Sequence, residues 1–171
     1  MSLKFGAALA IAAVCAAPVF CAEGGSSSKF GQDFLKHWAI AKDLTIAVAQ
    51  AMPADSYSFK PNPEEMSFGE QIVHIASANL SYCSRLGGEK PTFKKPEKAE
   101  QGPALDFLKQ SFDYCSTAVT ATDPDAMHGA AGKEISGREI MLGAYAHMAH
   151  HRGQAEVYLR VKGVKPPDYK F

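Results

Sequence analysis

The stretch from Ile140 to Tyr158 constrains this chain most. Ile140, Ala144, Ala155 and Tyr158 fall at the three- and four-residue spacings that line one face of an α-helix. In the middle of that stripe, where leucines are expected, stand His147 and His151. Residues four apart leave the same helix face, so the two imidazoles point the same way. Burying two such rings is costly unless each is hydrogen-bonded or coordinated. The segment therefore needs a fold that covers one face of a long helix and supplies a partner for its histidines. Gln154 lies on that face as well, whereas His150 is rotated about 100° away from His151.

Three other segments repeat the helical period. Phe34, Trp38, Ala41, Thr45, Val48 and Met52 mark a first helix over 30–52, ended by Pro53. Ser67-Phe68-Gly69-Glu70 is a capping box that opens a second helix, running to about residue 86 and stopped by Gly87-Gly88. Phe68, Ile72, Ile75, Asn79, Tyr82 and Leu86 form its stripe, so Asn79 is a buried polar group that needs a partner. Leu105, Leu108, Phe112, Cys115 and Val119 mark a third helix over 103–121. A second capping box, Ser136-Gly137-Arg138-Glu139, opens the fourth, which Gly163 ends. No run alternates with period two, so no strand is expected. Helices with one apolar face each imply an all-α, four-helix bundle over residues 30–167. Tyr57 and Phe59, in the proline-rich loop after the first helix, are too bulky for a bare linker and are expected to pack over one end of the core. The charged connection over 89–102 is long enough for a crossover or a simple turn. His128, in the loop after the third helix, reads as solvated.

The first 22 residues have a different character. One lysine precedes an apolar, alanine-rich run over 5–15, the pattern of a signal peptide and too short to be a comfortable membrane span. Residues 23–29 read as a flexible spacer. The mature protein is thus expected to be exported, periplasmic or secreted, with no integral membrane segment once the signal is removed. A lipid on Cys21 or Cys15 is disfavoured, because Phe20 and Val14 before them are larger than lipoprotein processing accepts. Export permits a disulfide between Cys83 and Cys115. Two small buried apolar residues is an equally good reading, so the pairing stays open. The formal net charge of zero argues against nucleic acid or an anionic membrane as the main partner.

Neutral imidazole is the commonest protein ligand for transition metals. His147 and His151 alone make a weak site, and a third ligand from another helix would leave positions open for water or a small-molecule substrate. His74, on the flank of the second helix, leads the candidates, and His37 is the second. Asn79, Gln154 and Tyr57 are the candidates for orienting a substrate. A carboxylate-bridged pair of metals is not expected, since Glu156 follows the histidines instead of preceding them by three. The donor set suits one divalent ion of zinc, nickel, iron or manganese. Two other readings remain open: a non-catalytic metal-binding module, and a bundle whose core histidines are merely hydrogen-bonded.

Three segments together resemble one family. They are Met52-Pro53-Ala54-Asp55-Ser56-Tyr57-Ser58-Phe59-Lys60-Pro61, Ser67-Phe68-Gly69-Glu70-Gln71-Ile72-Val73-His74-Ile75-Ala76, and His147-Met148-Ala149-His150-His151-Arg152-Gly153-Gln154 followed by Tyr158-Leu159-Arg160. In this order they look like DinB-like (YfiT-like) proteins. The resemblance implies a four-helix bundle with one divalent metal on His74, His147 and His151, and it implies that His150 is not a ligand. Relatives in that family include metal-dependent thiol transferases, metal-dependent isomerases and proteins assigned as hydrolases, and the resemblance implies metal-dependent chemistry of the thiol transferase-like or hydrolase-like type. The signal peptide departs from the thiol-using relatives, which work in the cytoplasm. Bundles of this kind often pair, so a homodimer is a candidate, though no long exposed apolar stripe argues for it.

Overall fold

A computed structural model of the chain describes residues 28–169. The expected signal peptide and all but the end of the spacer lie outside the described residues. Ser28 caps the first helix, its Oγ accepting from the Gly31 N–H.

Four helices make the body: α1 Lys29–Ala51, α2 Phe68–Cys83, α3 Gln101–Ala121 and α4 Gly137–Val161. The capping box at α2 forms in full, Ser67 Oγ accepting from Glu70 N–H and the Glu70 carboxylate accepting from Ser67 N–H. At α4, Ser136 Oγ takes the Glu139 N–H. A short 3₁₀ turn, Ser84–Leu86, extends α2 before Gly87 turns the chain with a φ of 87°.

One expectation fails between α3 and α4. A two-stranded antiparallel hairpin, β1 Met127–His128 with β2 Ile135–Ser136, occupies that loop. Strands of two residues are too short to show alternation, so no period could announce them. The hairpin also holds His128 half-buried, not solvated.

Both α1 and α2 pack against α3 and α4, while α1 and α2 make little contact with each other. The two pairs of diagonal neighbours are therefore α1 with α2 and α3 with α4. The connections that cross the bundle are the two flanking ones, and the charged 87–100 segment joins adjacent helices. The core centres on Trp38, fully buried, whose Nε1–H donates to the Phe112 carbonyl at 3.3 Å and whose ring lies 4.8 Å from that of Phe112. Tyr57 packs edge-on to Phe68 and closes one end of the core, as its bulk demands.

A disulfide joins Cys83, the last residue of α2, to Cys115 in α3. This resolves what the sequence leaves open: helices that pack side by side bring the two Cα atoms to 5.2 Å, inside the range a disulfide spans.

The connection before α3 crosses closely over the start of α2. A Cβ on Gly69 would stand 2.0 Å from the Ala99 carbonyl oxygen and 3.0 Å from the Tyr57 ring. Both are held by other contacts, so Gly69→Ala must push backbone aside. We expect it to destabilise the protein by at least about 2 kcal/mol, measured by urea unfolding, whereas Gly153→Ala, where a Cβ meets nothing and only helix propensity changes, should stabilise it slightly.

Candidate metal centre

The buried side of α4 runs through Met141, Ala144, Met148, Arg152, Ala155 and Leu159. His147 and His151 are each one position back from Met148 and Arg152 and only half-buried, so they flank that stripe and do not form its centre. Arg152 explains the discrepancy. Its charge excludes it from an apolar stripe, yet it is 8% exposed, its Nε 3.7 Å from the Glu156 carboxylate and its guanidinium facing the Tyr169 ring. With Arg152 inside, the histidines turn toward the seam with α2.

There they meet His74. One ring nitrogen from each of His74, His147 and His151 lies within 4.8 Å of the other two. His74 Nε2 and His151 Nε2 are 3.2 Å apart. With metal–nitrogen bonds of about 2.0–2.1 Å, two imidazoles on one ion place their nitrogens roughly 3–3.4 Å apart. The spacing therefore fits a shared cation.

The tautomers fit as well. His151 Nδ1 lies 2.9 Å from Gln71 Oε1, an acceptor, so Nδ1 carries the proton and Nε2 presents its lone pair to the cluster. Gln71 is itself held, its Nε2 donating to Gln154 Oε1 at 3.2 Å. His147 Nδ1 is buried, and nothing among the described residues hydrogen-bonds to that atom. Burial, followed by the charges of His74, His147 and His150, pushes the His151 pKa down to about 4. Burial, with His74 and His150 behind it, also lowers His147. Both rings are thus neutral at pH 7, the form that binds metal.

This has a consequence for the metal-free protein. An unfolded histidine titrates near 6.5, and His151 titrates lower when folded, so the unfolded state takes up protons first. The stability from keeping His151 neutral is full above about pH 6.5 and is lost as pH falls toward about 4. Unfolding midpoints in chelator should fall across that window, and His151→Gln should flatten the decline.

The other sequence candidates divide. Gln154 belongs to the site, but as the support of Gln71. Three candidates lie elsewhere. Asn79 faces α3 and donates to Ser111 Oγ at 3.2 Å, because it sits on the core stripe and not on His74's side of α2. The Tyr57 hydroxyl donates to the Ala49 carbonyl at 2.8 Å, and burial raises its pKa, so it is structural. His37 lines a shallow recess with Phe34, Leu142 and Tyr145, away from the three-histidine cluster. His150 is exposed, its ring edge-on to His151 at 4.9 Å. The residue the sequence reading misses is Gln71. Its signal was present: it precedes His74 by three and so shares its helix side.

Two clefts border the histidines. One, of about 460 Å³, is lined by His74, Ser77, Ala78, Ser81, Tyr82, Arg85 and His147. The other, of about 380 Å³, includes His74, Glu70, Lys95 and Glu97. Glu70 is committed to its cap, and the Ser67 N–H holds its carboxyl below the usual range.

The DinB family model matches residues 26–171. The chain belongs to the DinB family. Its relatives include the uncharacterized protein YjoA of Bacillus subtilis, 27% identical over 146 residues, a match covering 80% of this chain and 91% of YjoA. Among solved structures, a DinB-like protein of Bacillus cereus superposes with a TM-score of 0.67 at 21% identity, covering 81% of this chain and 97% of that one. The YjoA structure gives 0.65 at 19% identity, covering 81% and 98%. A DinB-family member from Exiguobacterium sibiricum gives 0.63 at 21% identity, covering 84% and 97%. These likenesses carry the fold, and the three-histidine cluster fits the metal binding of a DinB protein.

Proposed function

We propose that this DinB-family protein holds one divalent transition metal on His74, His147 and His151 and acts as a metal-dependent transferase or hydrolase outside the cytoplasm. The observation that carries the reading is the convergence of the three ring nitrogens, with His151 Nδ1 tied to Gln71 so that Nε2 is bare. A divalent ion bound there supplies Lewis acidity, lowering the pKa of a bound water or thiol toward neutrality. The protein's own part is positional. Gln71 and Gln154 fix the His151 ring, and the two clefts give a small molecule access to the histidines. Zinc, nickel, iron and manganese all suit three imidazoles. The Cys83–Cys115 disulfide supports export, since cytosolic thiols are kept reduced. Among the described residues no helix is long and apolar enough to cross a membrane.

One observation favours a second reading, a non-catalytic metal-binding module: the cluster contains histidines only, with no carboxylate to serve as a base. Metal-loaded protein offered a nitrophenyl ester, and separately a thiol with an aryl halide, separates the two. Turnover of either substrate, lost in chelator and restored by metal, supports the enzyme. Stoichiometric metal without turnover supports the module.

A further inference from the structure

The larger of the two clefts runs along α2 from the histidines to the 3₁₀ turn that follows the helix, and its lining is chemically one-sided. It has two imidazoles, the hydroxyls of Ser77, Ser81 and Tyr82, and the guanidinium of Arg85, with no carboxylate. The chain has four arginines. Arg138 pairs with Asp125, and Arg152 and Arg160 pair with Glu156. Among the described residues Arg85 is the one arginine without an ion pair, and it is exposed on the cleft wall.

The wall beside it depends on a glycine. A Cβ on Gly143 of α4 would stand 2.8 Å from Tyr82 Cε1, so glycine lets the Tyr82 ring lie against α4, 5.9 Å from the His147 ring. Among the described residues the Ser81 and Tyr82 hydroxyls have no hydrogen-bond partner, which leaves both free to donate into the cleft. A guanidinium and two unused hydroxyls around a space without acids complement an anion.

We propose that this cleft binds the anionic end of an elongated small substrate, with Arg85 as the recognition residue, while the substrate's other end reaches the histidines. The assignment of the second end rests on the metal-centre reading; that of the first does not. His74 and Arg85 are eleven residues apart, roughly 16 Å along the helix. The arginine arm spans part of this, so the two ends of the substrate lie on the order of 10 Å apart. A compact anion would not bridge them.

The test uses suberate, a dicarboxylate of about that span, and octanoate, the same chain with one carboxylate. Binding is measured by calorimetry on zinc-loaded and metal-free protein, and the Arg85 Nε–H resonance is followed by ¹⁵N NMR. We expect suberate to shift that resonance saturably and to bind zinc-loaded protein about tenfold more tightly than octanoate. In Arg85→Gln the preference should shrink to within about twofold, with zinc content and melting temperature unchanged. An arginine that merely complements the carbonyl end of α2 would change melting and leave the preference intact. An unmoved Arg85 resonance, or a preference that survives Arg85→Gln, overturns the proposal. Should the protein take up no zinc, the metal reading fails and the metal-free titration decides: a saturable Arg85 shift supports the anion cleft, and none overturns it.

Discussion

His151→Ala is expected to strip the metal from the protein. Within the three-histidine cluster, His151 is the ring held from behind by a glutamine, Gln71, and its Nε2 is 3.2 Å from that of His74. Its loss leaves His74 and His147 facing each other with ring centroids 5.0 Å apart and no carboxylate in the cluster to fill the gap. Two imidazoles make a weak site, so metal content after dialysis should fall from about one ion per chain to below about a tenth. His147→Ala should behave the same way, and His150→Ala, at an exposed ring, should keep its metal. Gln71→Leu tests the support separately. Losing the hydrogen bond that orients a ligating histidine weakens metal binding by about 10–100-fold without emptying the site. Elemental analysis of the purified protein is the measurement. A wild-type protein without stoichiometric transition metal, whose melting is also unmoved by His147→Ala, would remove the metal reading and leave a hydrogen-bonded bundle.

The second large effect is on stability. Cys83 and Cys115 are separated by 32 residues, and closing a loop of that length in the unfolded chain is worth about 3–4 kcal/mol. The double variant Cys83→Ala, Cys115→Ala should lose about that much in urea unfolding. Both sulfurs are in the core, so reductant will act slowly on the folded protein, and the variant is the cleaner probe. Its metal content should stay near wild type, because the bridge joins α2 to α3 while the proposed ligands lie on α2 and α4. Unfolding midpoints that match wild type within error would mean the cysteines are unpaired in solution.

The bundle was legible because its cores are regular. Phe34, Trp38, Ala41, Thr45, Val48 and Met52 repeat the helical period and all are buried. His74, His147 and His151 were legible too, two by spacing and the third by its place on a capped helix. What spacing hid was orientation. Arg152 occupies a core position that no hydropathy pattern would assign to a charge, and misplacing it put the histidines in the wrong part of the stripe. Asn79 was offered to the site from its helix face and Tyr57 from its place in the loop after α1; their partners are Ser111 and the Ala49 carbonyl, which only packing reveals. Cys83 and Cys115 could not be paired from sequence, since that depends on which helices are neighbours. Arg85 carried no motif, and its interest lies in the ion pair it does not make.

The two cross-links of α2 are nested in the chain. His74 and His151 are 77 residues apart, and the disulfide, 32 residues across, lies wholly between them. In the oxidised unfolded chain the bridge short-circuits that span, so the entropy of bringing the ligands together falls by about 0.5 kcal/mol. If the three histidines take up a metal as proposed, oxidation and metal uptake favour each other, weakly and reciprocally, through the unfolded ensemble. A chain that reaches an oxidising compartment before it meets its metal gains both locks in the more favourable order.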